Sequence, residues 1–145
     1  MVRDEFQESL EALRAEVLSM SDLVADRLRR ALTALETVDE VTARRVIAGD
    51  DAVDRRYLDI ESTCIQLFAR QQPVAGDLRL VASSFKIVTD LERVGDLAVN
   101  LAQYTLAADR KRFETVDLSP IGDLACDMLD DAMAAYRTDD AALCR

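Results

Sequence analysis

The chain has 145 residues, half of them apolar, with only four Gly and two Pro, which excludes a turn-rich sandwich or barrel and points to one domain of a few long helices. Twenty-eight acids against eighteen Lys and Arg give a net charge of −10, which argues against nucleic acid as a partner. Histidine is absent, so Ser-His and Cys-His catalysis and the Glu-x-x-His ligation of helical di-iron oxidases are excluded, and metal chemistry is left to oxygen ligands.

In chain order, Phe6, Leu10, Leu13, Val17, Met20, Val24, Leu28, Ala31 and Leu35 step at three and four residues and predict a first helix over 3–37. A short polar turn follows, with Asp39 able to cap the next helix. The second predicted helix spans 40–71. Val53, Ile60 and Leu67 form one apolar line, and Val46, Tyr57, Cys64 and Phe68 another, whose face also carries Asp50, Asp54 and Glu61. Gly49 reads as a mid-helix glycine costing ~1 kcal/mol, with a kink as the alternative. The third predicted helix, 74–109, opens after Gln71-Gln72-Pro73. Leu78, Phe85 and Val99 lie on one heptad line, and Leu80, Ile87, Val94 and Leu101 on a second, with Gly95 in the apolar arc where a neighbour can come close. A charged linker is expected at 110–118. A fourth helix is expected from Ser119, as N-cap, with Pro120 at the first position, to about 137.

The fourth helix restarts the first. Asp22-Leu23, Asp26, Leu28, Ala31, Ala34, Thr37 and Asp39 recur 101 residues later as Asp123-Leu124, Asp127, Leu129, Ala132, Ala135, Thr138 and Asp140. The expected organisation is a three-helix bundle over 1–109, a linker over 110–118, and the start of a second repeat over 119–145. Helix four carries Ile121, Leu124, Met128, Leu129, Ala132 and Tyr136, and burial requires this stripe to pack on another copy or back on its own bundle.

No apolar run approaches the ~18 residues of a membrane span, and the charged start at 1–5 is unlike a signal peptide. Cys64, Cys126 and Cys144 are an odd set without a CxxC pair, which suits a reducing cytoplasm and free thiols acting as small buried hydrophobes. Asp exceeds Glu and Arg far exceeds Lys, which suggests a salt-rich cytoplasm, a merely acidic protein being the alternative.

The chemistry-bearing residues are carboxylates. Glu92 falls where the line through Leu78, Phe85 and Val99 calls for an apolar residue, and Asp96 follows one turn later. Two acids at i, i+4 face the same way and together suit a hard cation. Asp50 and Asp54 have the same spacing on the preceding helix. Facing pairs would make a four-carboxylate site, whose charges raise one another's pKa unless a cation neutralises them. Isolated acid pairs are common in so acidic a chain, and Asp22/Asp26 and Asp123/Asp127 read as solvated faces. Glu61 could join the site or pair with an arginine, and Asn100 reads as an outward polar residue. Arg79, Lys86 and Arg93, seven residues apart, read as a solvated stripe, with an acidic partner or phosphate as the other reading.

Gln71-Gln72-Pro73-Val74-Ala75-Gly76-Asp77-Leu78-Arg79, followed by Asp90-Leu91-Glu92-Arg93-Val94-Gly95-Asp96, resembles the signature of the PhoU family, accessory regulators of the phosphate-specific transport system. The resemblance implies an all-α fold of antiparallel three-helix bundles. It implies that Asp50, Asp54, Glu92 and Asp96 are the motif positions able to hold a multinuclear cluster of divalent or ferric ions: iron, manganese, magnesium or zinc. It further implies a non-enzymatic, cytoplasmic, homodimeric regulator that represses phosphate-responsive signalling and uptake, with the transporter's ATPase subunit and signalling proteins as partners. The family has six helices, and here one bundle and one further helix are present, as in a fragment or a truncated gene product. A carboxylate-bridged metalloenzyme and a plain helical oligomerisation module are the alternatives from other classes.

Overall fold

A computed structural model of the chain describes residues 2–70, 75–108 and 117–145, all helices and short connections. Among the described residues five helices follow in order: α1 (Val2–Thr37), α2 (Glu40–Ala48), α3 (Asp50–Ala69), α4 (Ala75–Ala107) and α5 (Ser119–Thr138). α2 and α3 together form the second rod of an up-down-up bundle with α1 and α4. Gln7 reaches Asp77, so α1 and α4 start at the same end, whereas Arg70 at the end of α3 reaches back to Ser9.

Each rod buries one seam of alternating three- and four-residue steps. In α1 it is Leu13, Val17, Met20, Val24, Arg27, Ala31 and Ala34. In α4 it is Val81, Ser84, Val88, Leu91, Gly95, Ala98, Ala102 and Thr105, all buried. The two apolar lines expected on α4 therefore flank the buried seam: Leu80, Phe85, Ile87, Val94, Val99 and Leu101 are half-buried and Leu78 is exposed. Across α2 and α3 the seam is Ala43, Val46, Asp50, Val53, Tyr57, Ile60, Cys64 and Leu67, whereas Phe68 faces outward. One end of the core is built from Leu and Val of α1, α3 and α4. The other is rich in alanine, with Ala31, Ala34, Ala43, Ala98 and Ala102, and lets α2 lie close against its neighbours.

The expected continuous second helix is broken at Gly49, which ends α2 and precedes α3. The kink, not the mid-helix glycine, is what the chain adopts, and a side chain of α1 packs against it. A Cβ on Gly49 would lie 2.5 Å from Nη1 of the buried Arg27.

The turn after α1 follows the expectation. Asp39 Oδ1 accepts the Thr42 N–H at 3.1 Å, and Thr42 Oγ1 donates to Oδ2 at 2.7 Å. Val38 carries φ of +53°, and the Asp39 N–H closes back onto Ala34 O at 2.9 Å, the Schellman form of helix ending. The repeat reproduces it 101 residues later: Asp139 has φ of +55° and the Asp140 N–H bonds Ala135 O at 3.0 Å. A β-branched residue is poorly suited to this left-handed conformation, which costs roughly 1–2 kcal/mol for L-residues. Val38→Gly is expected to raise stability by about 1 kcal/mol, read as a higher midpoint in urea at unchanged slope.

α5 folds back onto its own bundle and lies antiparallel to α1, as Arg14–Asp139, Arg29–Asp130 and Leu32 against Gly122 show. Arg29 and Asp130 are equivalent positions of the repeat, so the two helices meet about a local two-fold axis. Gly122, Cys126, Met133 and Ala135 are the buried residues of α5; Leu129 and Tyr136 are half-buried, and Tyr136 OH lies 2.7 Å from Ser84 Oγ. The expected stripe is thus divided, because Ile121, Leu124 and Met128 stay exposed. Ser119 is not the cap: it is the first residue of α5, and its N–H is accepted by Asp117 Oδ1 at 3.1 Å. Residues 71–74 and 109–116 lie outside the described residues, and with them the expected ends of helices two and three and most of the 110–118 linker. Cys64 and Cys126 are buried and free, but Cys144 is exposed. No described helix is long and apolar enough to cross a membrane.

Candidate metal centre

The helix break puts Asp50 in the first turn of α3, where the free N–H groups and the helix dipole favour a negative charge. Asp54 follows one turn on. On α4, Gly95 replaces a side chain in the seam, and a Cβ there would meet Val53 Cγ1 at 3.1 Å. α3 therefore approaches α4 closely at this level, and the residues on either side, Glu92 and Asp96, are carried up to Asp50 and Asp54. One carboxylate oxygen from each of Asp50, Asp54 and Asp96 lies within 4.8 Å of the other two. Glu92, one turn before Asp96 on α4, is not among these three, but it feels their charge, Asp96 most. Asp50, Asp54 and Glu92 are half-buried and Asp96 is exposed, so the cluster opens to solvent on the α3–α4 face.

The four acids act on one another. Burial, then Asp54 and Asp96, push the Asp50 carboxyl above its usual range, with Arg27 pulling the other way. Burial, then Asp96, push Glu92 up, with smaller contributions from Asp54 and Asp50. Asp50 Oδ1 is buried without a hydrogen-bond partner. An orphaned oxygen in an all-carboxylate set is the donor chemistry that hard cations take, so the residues present fit the metal that the resemblance implies.

These shifts fix a pH dependence. Between the usual values of 3.8 for Asp and 4.5 for Glu and the higher folded-state values, the folded protein binds more protons than the unfolded chain. Stability of the metal-free protein therefore rises as pH is lowered from 7 through the raised values, and the gain is complete below the unfolded ones. Glu16, raised by burial and Asp59, acts in the same direction. Asp39, lowered by its bonds to Thr42, acts oppositely only once pH falls toward 3.8 and below. A melting temperature that climbs as pH is lowered from 7 toward the usual carboxylate range is expected without metal; a saturating cation that binds the carboxylates should erase the climb.

The other acids stand elsewhere. Glu61 is half-buried farther along α3, where its charge acts on Cys64, whose thiol burial pushes up to about 11. Asp22, Asp26, Asp123 and Asp127 are exposed, Asp26 pairing with Arg30 at 2.9 Å, and Asn100 is exposed too. Arg79, Lys86 and Arg93 are exposed along α4.

Arg27 went unpredicted. Its side chain is 8% exposed, Nη2 donates to Val46 O at the end of α2, and the same nitrogen is 4.0 Å from Asp50 Oδ1. Its Nε is buried without a partner. The apolar spacing gave no signal for it, because Leu28 fills the step between Val24 and Ala31 and the line reads as continuous past Arg27.

Residues 17–105 match the family model of the PhoU domain. The phosphate-specific transport system accessory protein PhoU of Edwardsiella tarda is 35% identical over 134 residues, 91% of this chain and 55% of that protein. That of Escherichia coli K12 is 33% identical over 137 residues, 93% of this chain and 57% of that protein. The chain thus spans a little over half the length of these relatives. Among solved structures, PhoU from Pseudomonas aeruginosa matches with a TM-score of 0.89 at 33% identity, covering 95% of this chain and 68% of that one. The phosphate transport system regulatory protein PhoU from Streptococcus pneumoniae matches at 0.85 and 30% identity, covering 95% and 66%. Sequence, family model and bundle geometry agree, and the chain belongs to the PhoU family.

Proposed function

We propose that this chain is a metal-binding regulator of phosphate transport, which restrains uptake through the phosphate ABC transporter and the signalling coupled to it. The observation that carries the metal half of the reading is the meeting of Asp50, Asp54 and Asp96 within 4.8 Å, with Glu92 beside them. The transport half rests on the relatives, which are named as accessory proteins of phosphate-specific transport. Asp50, Asp54, Glu92 and Asp96 would hold divalent or ferric ions. A bound cation supplies the positive charge that lets α3 and α4 keep four carboxylates together, and so fixes the α3–α4 face on which a partner would dock. The proposed partners are the transporter's ATPase subunit and its signalling proteins, in the cytoplasm, with the regulator a homodimer and not an enzyme.

The test has two arms. Metal-stripped protein is titrated with Mn²⁺, Mg²⁺, Zn²⁺ and Fe³⁺ by calorimetry and its content read by elemental analysis. Phosphate uptake is then compared in cells carrying the chain and its Glu92→Gln/Asp96→Asn form. Absence of any cation bound above trace level would reject the metal reading. Unchanged uptake on removal of the chain would reject the regulatory one.

A further inference from the structure

Arg27 is the one buried charged side chain among the described residues. It occupies a seam position of α1, between Val24 and Ala31, where an apolar side chain would cost nothing to desolvate. Three features show that its place is built. Gly49 has no Cβ where one would lie 2.5 Å from the guanidinium; Val46 O accepts from Nη2; and Asp50 Oδ1, itself without a hydrogen-bond partner, lies 4.0 Å away. The guanidinium thus reaches Asp50 from α1, while Asp54 and Asp96 meet it from α3 and α4. A fixed positive charge at this distance offsets part of the carboxylate repulsion and opposes a second cation entering the same field.

We propose that Arg27 is the resident counter-cation of the carboxylate cluster: it stabilises the metal-free bundle and, by the same charge, weakens cation binding, so that the site fills and empties reversibly. The affinity part rests on the reading that the cluster binds a metal; the stability part does not. Arg27 acts through Asp50 and is therefore a positioning residue, separate from the ligands.

The experiment compares the full chain, Arg27→Met and Arg27→Lys, each with Asp50 and with Asp50→Asn, using Mn²⁺ as the probe. Without metal, Arg27→Met is expected to melt several degrees lower, and this loss should be smaller in the Asp50→Asn background, where there is less charge to balance. With Asp50 present, Arg27→Met should bind Mn²⁺ at least about tenfold more tightly, and Arg27→Lys, which keeps the charge, should stay within about threefold of the parent. In the Asp50→Asn background the gain should shrink to less than about threefold. Equal or weaker Mn²⁺ binding by a helical Arg27→Met would overturn the affinity claim. A metal-free destabilisation that is the same with and without the Asp50 carboxylate would overturn the counter-cation claim, leaving Arg27 a packing residue. If the parent binds no Mn²⁺ or other cation, the metal half of the proposed function and the affinity claim both fall, and the metal-free comparison still decides the counter-cation claim. If Arg27→Met does not fold, Arg27→Lys carries the test: tighter Mn²⁺ binding by that variant, with its charge intact, would refute the claim.

Discussion

Glu92→Gln/Asp96→Asn is expected to lower cation affinity on the order of 100-fold and at the same time to make the metal-free protein more stable. Two of the four charges are removed while shape and hydrogen-bonding capacity remain. Cation sites lose affinity steeply with ligand charge, and Asp50 with Asp54 alone present one face of a site. The stability change has the opposite sign because the metal-free fold holds these groups against burial and against one another. Asp96 faces water, which screens much of the repulsion, so the gain is about 1 kcal/mol, or roughly 3 °C in melting temperature. Thermal melts with and without Mn²⁺ separate the two effects: the double variant melts higher than the parent without metal and does not respond to it. The same pair of amides at Asp22 and Asp26, an exposed pair of identical spacing, should change neither quantity. Retention of full metal stoichiometry in the Glu92/Asp96 variant would show that these acids are not ligands.

Gly95→Leu is the substitution expected to damage the protein most. A single Cβ there already meets Val53 Cγ1 at 3.1 Å, and the rest of an isobutyl group has only Val53 and the closely packed seam to enter. Overpacking of this kind costs about 3 kcal/mol, which lowers the melting temperature by on the order of 10 °C. Relief comes most readily by moving α3 away from α4, which separates Asp50 and Asp54 from Glu92 and Asp96. Cation-induced stabilisation should therefore disappear as well. Val53→Ala in the same chain returns part of the volume and should recover about half of the lost stability. Gly95→Ala is the mild form, where a few tenths of an ångström of adjustment are set against a gain of about 1 kcal/mol in helix propensity. A Gly95→Leu protein with parental melting temperature and cation response would mean that the close approach of α3 does not control the site.

What the sequence made legible follows from which physical signals are local. Apolar spacing placed the helices, and the Asp39 cap and the 101-residue repeat were readable because each depends on a few side chains at fixed intervals. The i, i+4 acids identified both carboxylate pairs, since a helix alone puts such residues on one side. The α4 seam was misplaced because Ser84, Gly95, Ala98, Ala102 and Thr105 are small or polar and score weakly as apolar, yet these are the residues that let helices pack closely. The break at Gly49 was not decided by sequence because what packs against it, the guanidinium of Arg27, arrives from a residue 22 positions earlier. Ser119 resembled a cap on composition alone, and the bond that fixes the start of α5 comes from Asp117 instead.

Arg27 and Arg29 lie two residues apart on α1, which at about 100° per residue sends them to opposite sides of the helix. One ends beside Asp50, under the carboxylates, and the other on Asp130 of α5. The two tethers are unequal: the contact toward Asp50 is buried, whereas the ion pair toward Asp130 is exposed and screened by water. The middle of α1 is therefore moored firmly on the carboxylate side and loosely on the α5 side.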